Sequence, residues 1–369
     1  MLAKLVVYLK NFDWILFSSI LLLVCFGLAE IYSVALGQGD ESFLNFKKQI
    51  LFAMAGIVLL FAVSFIDYHY VRSYSNYIYL VGVFLLMAVL VFGQTIRGTR
   101  GWFYIMGAGI QPVELIKAIL ILFLARYFSG ASLRTNQLKH LAVAGTGFLI
   151  FFILVLAQPD FGSGMLLFAT WLVMVIAAGF DKKFFIAIAL IISVLFVGAW
   201  AFYLKPYQKQ RIMTFINPSF DPLNQGYNVA QAIIAVGAGG LSGRGIGFGS
   251  QSQLKFLPES QNDFIFAVVA EELGFLGICL VLSFFAIFFY RCLYNIKKNV
   301  KDDFGIFFIL GASSLIFMQM FINIGMNIGI LPVVGISLPF VSYGGSSMVS
   351  SLVMVGFIQS IIIRSKINY

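Results

Sequence analysis

The sequence predicts an all-α integral membrane protein of about ten transmembrane helices, with a large extracytoplasmic loop between the seventh and eighth. Three observations predict it. Hydrophobic residues make up 61% of 369, the mean hydropathy is +0.97, and only 11% of residues are charged, where a soluble domain carries about a quarter. The apolar residues gather into segments of spanning length, roughly 20 residues each. Lysine and arginine are shared unequally between the loops on the two sides of those segments. No long polar tract remains, so residues 1–369 read as a single polytopic domain.

Taken in order, Lys4 and Lys10 precede the first apolar run, and Ser33-Val34-Ala35 imitates a cleavage site. The run from Trp14 to Leu36 nevertheless exceeds a signal peptide's apolar region and is long enough to cross a bilayer. It reads as the first span. Others follow at 48–66, 74–92, 111–129, 141–158, 161–180, 184–204, 264–290, 304–325 and 346–363. An even number puts both termini on one side. That side carries fourteen lysines and arginines against nine opposite, Lys117 lying within a span. The 205–263 loop alone holds five of the nine. The positive-inside rule therefore makes the termini cytoplasmic. Between the fifth and sixth spans, Ala157-Gln158-Pro159-Asp160-Phe161-Gly162 leaves no room for a solvated loop, so Asp160 is expected near membrane level. The outer side gathers the 93–110 loop, the 205–263 loop and the 326–345 segment, whereas the inner side has short basic loops. Function is expected on the outer face.

Several chemistries are set aside at once. Cys25, Cys279 and Cys292 form no pair by spacing, so neither a disulfide framework nor a zinc site is indicated. His69 and His140 are the two histidines, too few for histidine-based metal or triad chemistry. The Gly-x-Gly-x-Gly spacing at 243–247 is wrong for a dinucleotide site and follows no strand.

The stretch Leu257-Pro258-Glu259-Ser260-Gln261-Asn262-Asp263-Phe264-Ile265-Phe266 carries the most chemical information. It sets Asp263 where a glycine-rich loop meets an apolar helix. A carboxylate losing hydration there is placed to act as a general base or proton relay. An Asp before an apolar run is more often an N-cap, but the company Asp263 keeps reverses that order. Glu271 follows eight residues later, about 80° around a helix, so the two share roughly one face, with Glu272 beside it. Glu114 and Lys117 have the spacing of a helical ion pair; a structural bridge is the plainer reading, yet buried charges in a membrane default to a functional one. Seven glycines between Gly237 and Gly249 read either as a flexible loop or as backbone N–H groups brought close to an anion. Arg211, Arg244 and Lys255 on that loop, with Arg97, Arg100 and Trp102 on the neighbouring one, suit a lipid with an anionic, sugar-bearing head. General contact with anionic headgroups is the alternative.

These residues resemble the SEDS family (shape, elongation, division and sporulation). The resemblance rests on Gly226-Tyr227-Asn228, the glycine loop, Phe256-Leu257-Pro258-Glu259, Asp263-Phe264-Ile265-Phe266-Ala267-Val268 and Glu271-Glu272-Leu273-Gly274. Further matches are Gln111-Pro112-x-Glu114 with Lys117, Gln158-Pro159-Asp160-Phe161-Gly162, and Pro339-x-x-Ser342-Tyr343-Gly344-Gly345-Ser346-Ser347. They run from about residue 97 to 347. Gly226-Tyr227-Asn228 and Gly249-Ser250-Gln251-Ser252-Gln253-Leu254 look more like the elongation branch, RodA, than the division branch, FtsW. Three departures stand out. Arg100 falls one residue early before Trp102, so either it or Arg97 takes the family arginine's role. Gln261-Asn262 replaces the usual His-Thr before Asp263. Val113 replaces the usual Ser.

The resemblance implies peptidoglycan glycosyltransferase activity: lipid II polymerised into glycan strands outside the cytoplasmic membrane. Nucleotide sugars are absent there, which agrees with the missing nucleotide motif. Asp263 would be the general base acting on the GlcNAc 4-hydroxyl of the acceptor. Lys117, Arg211 and Arg100, in that order, would stabilise the departing undecaprenyl pyrophosphate. Trp102, Glu114, Asp160, Glu259, Arg97, Lys255 and Ser342 complete the expected substrate-binding set. No cofactor is fixed by the sequence; a divalent cation, magnesium or manganese, bridging Asp160 or Asp263 to pyrophosphate is compatible with these residues. The resemblance also implies a class B penicillin-binding protein as partner, alongside other elongation-complex membrane proteins. The rival of another class is a flippase for the lipid precursor, for which broken helices and intramembrane charges are equally suited. Against it, the loops and charges crowd one face and no inverted repeat is visible. A pure scaffold would leave Asp263, Lys117 and Glu114 without a purpose.

Overall fold

The structure, a computed structural model, describes residues 2–96, 98–105, 108–131, 136–198, 200–201, 209, 213, 215 and 225–367. An amphipathic helix α1 (Leu2–Asn11) breaks at Phe12, and Asp13 then caps α2 (Trp14–Gln38) by accepting the Leu16 N–H at 3.1 Å. Next come α3 (Asp40–Phe65) and α4 (Tyr68–Phe92), the latter capped by Asp67. Three antiparallel strands fill the 93–110 loop in the order β1 (Gln94–Ile96), β2 (Thr99–Ile105) and β3 (Ala108–Ile110). Then α5 (Pro112–Gly130) opens on a proline, whose missing N–H costs nothing in a first turn. The chain continues through α6 (Gln137–Ala157), α7 (Phe161–Ala178) and α8 (Lys182–Gly198). The described part of the expected 205–263 loop holds α9 (Gln225–Ala238) and the single turn α10 (Ser250–Gln253). Finally come α11 (Ile265–Lys298), α12 (Asp303–Asn327) and α13 (Gly345–Ile367).

Among the described residues, eight helices are long and apolar enough to cross a membrane: α2, α3, α4, α6, α7, α11, α12 and α13. α5 lies on the expected 111–129 span but carries Glu114, Lys117 and Arg126, and the described part of α8 covers 182–198. The helix α1, the strands and α9 are absent from the hydropathy reading because each is short or amphipathic. α13 and α12 lie innermost: 72% and 56% of their most apolar stretches are buried, against 28% for α3, α4, α6 and α11.

The bundle has two chemically distinct ends. At one, Asp13 pairs with Arg291 at 2.7 Å and exchanges hydrogen bonds with Gln359, while Arg72 meets Asp302 and Arg364 reaches the carbonyls of Ser64 and Phe65. The N- and C-terminal segments therefore share an end. At the other end lie the strands, the start of α5, the α6–α7 break, the glycine-rich loop and the 328–344 segment.

α11 is two helical pieces joined at Gly274, whose φ is 64°. The break would orphan four backbone groups, each costing several kcal/mol in hydrocarbon. The glycine-rich loop supplies all four partners. Arg244 and Gly245 donate to the carbonyls of Glu271 and Glu272 at 3.0 and 2.9 Å, and the N–H groups of Phe275 and Leu276 donate to Gly240 and Leu241 at 2.9 and 3.1 Å. A Cβ at Gly274 would sit 2.3 Å from the Gly243 nitrogen, and one at Gly243 would sit 2.1 Å from the Glu272 carbonyl, so both positions require glycine. This corrects the expectation of a structureless loop: it is a splint for a broken membrane helix.

Candidate functional site

Asp263 stands just outside α11. The helix N-cap position is Phe264, which makes no side-chain capping bond, so Asp263 lies one residue before that position. The face shared by Asp263 and Glu271 is corrected too, since the angular argument assumed one continuous helix through both. Glu271 and Glu272 are fully buried and bind the loop instead. Glu271 accepts N–H bonds from Gln251 at 2.8 Å and Ser252 at 3.2 Å, and Glu272 accepts from Gly247 at 3.1 Å, Gln253 Nε2 at 3.1 Å and the Ser33 hydroxyl.

The backbone leading to Asp263 is held carbonyl by carbonyl. Gln261 O accepts the Tyr343 N–H at 2.8 Å, and Asn262 O accepts the Ser342 hydroxyl at 2.7 Å. Asp263 O accepts from Asn323 Nδ2 at 2.9 Å and Asn327 Nδ2 at 3.0 Å. Upstream, Glu259 adopts φ 52°, its carbonyl accepts the N–H groups of Asn262 and Phe264, and its carboxylate accepts Asn262 Nδ2 at 2.6 Å. Glu259 and Ser342 therefore shape the turn that presents Asp263.

The 331–344 segment joins the other expected residues to this turn. Gly335 lies against the carboxylate, where an added Cβ would be 3.6 Å from Asp263 Oδ2. Its neighbour Val334 presses its carbonyl on Gly162, in the first turn of α7. Asp160 caps that helix, accepting the Ser163 N–H at 3.0 Å and hydroxyl at 2.8 Å, and also binds Gln111 Nε2 at 3.1 Å. The Gln111 N–H in turn donates to Ser346 Oγ at 3.2 Å. One turn further along α5, Lys117 Nζ meets Glu114 Oε2 at 2.8 Å, with Lys117 only 2% exposed. The irregular segment thus joins Asp263 to the Asp160 turn, and Gln111 joins Asp160 to the start of α5, which carries the Glu114–Lys117 pair.

The remaining expected residues divide. Trp102 is half-buried on β2, its ring against Gly109, and β2 leans on the α6–α7 break through the Arg100 N–H to Gln158 O bond at 3.2 Å. The Arg100 guanidinium binds the Val91 and Gly93 carbonyls at 2.8 and 3.2 Å and so closes the end of α4. Lys255 is exposed at a turn with φ 61°. Arg97 and Arg211 lie outside the described residues. Ser163, Asn323, Asn327 and Tyr104, which the sequence reading did not single out, also enter, and Gln111 and Tyr343, quoted there only within motifs, gain partners. Burial, with Tyr104 nearby, raises the Tyr343 phenol above its ordinary value. The available signal for the asparagines was two amides four residues apart in an otherwise apolar span.

For a metal, among the described residues no three of His, Cys, Asp and Glu stand together as a cage. Both Asp160 oxygens accept N–H or O–H donors, and the carboxylate keeps lone-pair capacity beyond those bonds. Asp160 and Asp263 both remain, and hard cations do bind through one carboxylate plus substrate phosphates.

Comparisons with known proteins show the family and the fold. A family model described as "Cell cycle protein" (FTSW_RODA_SPOVE) matches residues 13–367. Stage V sporulation protein E of Bacillus subtilis (strain 168) is 37% identical over 358 residues, covering 95% of this chain and 96% of that one. Peptidoglycan glycosyltransferase MrdB of Escherichia coli (strain K12) is 36% identical over 307 residues, covering 83% and 82%. A chain from the solved structure "Structural coordination of polymerization and crosslinking by a peptidoglycan synthase complex" superposes with a TM-score of 0.81 at 26% identity, covering 96% of this chain and 98% of that one.

Proposed function

The chain belongs to the FtsW/RodA/SpoVE (SEDS) family of multi-pass membrane proteins, and from that premise we propose that it is a peptidoglycan glycosyltransferase polymerising lipid II. The observation that carries this reading is the half-buried Asp263 carboxylate. It is presented by a pinned turn at the end of the bundle where Asp160 and the Glu114–Lys117 pair also gather.

Asp263 takes the proton of the acceptor GlcNAc 4-hydroxyl. The freed oxygen attacks C1 of the donor MurNAc, and the bond from C1 to the pyrophosphate oxygen breaks with its electron pair, inverting the anomeric centre. Preorganised charge at a departing group is usually the largest catalytic contribution. Lys117 serves the pyrophosphate first, held ready by Glu114, with Arg211 next; Arg100 ranks last because α4 carbonyls hold its guanidinium. Trp102 offers a face for a sugar ring. Asp160 or Asp263 would hold a magnesium or manganese ion, whose charge would supply stabilisation of the leaving group.

The whole chain acts as one domain in the bacterial cytoplasmic membrane, with both termini cytoplasmic and the Asp263 end outside. This follows from the excess of basic residues on the terminal side. The RodA-like stretches at 226–228 and 249–254 favour cell elongation. A class B penicillin-binding protein is the partner, a choice supported by the likeness to a chain of a peptidoglycan synthase complex.

The test is Asp263→Asn in purified protein supplied with lipid II. Turnover should fall about 10²–10⁴-fold, as loss of a general base does, while folding and lipid II binding persist. Glycan chains at near wild-type rate would refute the mechanism. A flippase would polymerise nothing in either form.

A further inference from the structure

We propose that Asn323 and Asn327 of α12 are positioning residues that set the Asp263 carboxylate for proton transfer, an inference that rests on reading Asp263 as the base. Both amides are fully buried. A buried amide in an apolar helix is costly unless its hydrogen bonds are made, so two of them, one turn apart on one face, need a reason.

Each amide nitrogen carries two hydrogens, and all four are used. Asn323 Nδ2 donates to Asp263 O at 2.9 Å and to Ile336 O at 2.8 Å. Asn327 Nδ2 donates to the same Asp263 O at 3.0 Å and to Asn323 O at 2.8 Å. Flipping either amide would turn an oxygen toward carbonyl oxygens, so the network fixes its orientation.

The two amides fix different coordinates. Asn327 Oδ1 accepts the Ala267 N–H at 3.1 Å. That N–H belongs to the first turn of α11 and is shared with the Phe264 carbonyl at 3.1 Å, while Phe264 makes no side-chain capping bond. Asn327 is thus a cap supplied by another helix, and it sets where α11 begins against α12. Asn323 ties together the backbones on both sides of the carboxylate. It holds Asp263 itself and Ile336, the residue after Gly335, and Gly335 lies against Oδ2. One side chain therefore sets the separation between the base and the wall in front of it. Neither amide reaches the substrate; both act through Asp263.

Misplacing a reacting group by about 1 Å costs on the order of 10²-fold in rate. For Asn323→Ala the expected result is a kcat about 10- to 100-fold lower, with KM for lipid II and lipid II binding within about threefold of wild type. Turnover is to be expressed per folded molecule, counted by lipid II binding after thermal unfolding has been measured. The same substitution is then placed on Asp263→Glu. A residue acting through the base should cost less there than in the wild-type chain, because coupled residues are not additive.

Asn323→Ala at wild-type kcat, or with an equal loss in both backgrounds, overturns the proposal. Asn323→Ser, which keeps one donor, carries the same comparison where the Ala variant does not fold; if neither folds, the amides build the fold and the proposal fails. Asp263→Asn run in parallel separates the two ideas. If it is active, the reading of the base fails. If it is inactive while Asn323→Ala is normal, the positioning inference fails alone.

Discussion

The Glu114–Lys117 pair offers the sharpest separation of structure from chemistry. Its atoms are 2.8 Å apart, with side-chain exposures of 11% and 2%. Lys117→Met would strand a buried carboxylate, and breaking one side of such a pair costs about 3–5 kcal/mol. Glu114→Gln should cost a similar amount by stranding the ammonium. Removing both charges, in Glu114→Gln/Lys117→Met, should return most of that stability, since uncharged replacements of buried pairs are often neutral or better. Turnover should behave differently. If Lys117 stabilises the departing pyrophosphate, Lys117→Met and the double variant should both lose on the order of 10²–10³-fold, the usual cost of one preorganised electrostatic donor. Lys117→Arg keeps the charge and should lose less. The assay is glycan-chain synthesis from lipid II by purified protein, measured beside thermal unfolding in the same detergent. A double variant that regains both stability and wild-type turnover would remove Lys117 from the mechanism.

Three further outcomes follow from particular contacts. Gly274→Ala, with φ 64° and a Cβ placed 2.3 Å from the Gly243 nitrogen, should destabilise by about 1–3 kcal/mol and speed hydrogen exchange at Phe275 and Leu276; unchanged exchange would contradict the splint. Burial pushes the Asp13 carboxyl up, but hydrogen bonds from Arg291, Asn295 and the Leu16 N–H outweigh it and hold it below its ordinary value. Its stabilising contribution is then complete above the unfolded value of about 3.9 and lost as pH falls through the lower folded value, so Asp13→Asn should flatten the acid side of an unfolding-temperature profile; an unaltered profile would deny Asp13 that role. In a cysteine-free background, an impermeant maleimide should label Leu254→Cys, an exposed site, in intact cells and Lys297→Cys only after permeabilisation, whereas the reverse would invert the topology and exclude an external site.

Spanning segments were legible because about 20 apolar residues in a row have few uses other than crossing a bilayer. Asp263, Asp160, Glu114 and Lys117 were legible for the complementary reason, that charge at membrane depth is costly and so conspicuous. What the sequence could not show is which neighbour each polar group meets. The glycine run at 237–249 reads in the sequence as flexibility or anion contact; its contacts with Glu271, Glu272, Phe275 and Leu276 reveal tight packing against a broken helix. Arg100 and Arg244 look alike as external cations, yet one closes α4 through Val91 and Gly93 while the other binds Ser250 Oγ at 2.7 Å. Asn323 and Asn327 passed as polar punctuation in a hydrophobic helix because their partner, the Asp263 carbonyl, lies 60 and 64 residues away in the chain.

The sequence motifs fall at the places where helices stop. α6 ends at Ala157 and α7 starts after Asp160, α11 begins at Ile265 and breaks at Gly274, and 331–344 is irregular. Non-helical backbone at membrane depth survives only where protein or a polar cavity satisfies it. Each break here is satisfied by side chains or loops of the same end: Asp160 for α7, Asn327 for α11, Ser342 for the Asn262 and Leu338 backbone, and the glycine loop for Gly274. A helix end supplies what regular helix cannot: backbone that can be aimed and a polar lining that solvates charge. Asp160 shows the economy of this arrangement, since one carboxylate both caps α7 and anchors Gln111 beside α5. Changing such a residue therefore alters the site and the fold together, which is why stability and turnover must be measured on the same preparation for every variant at this end.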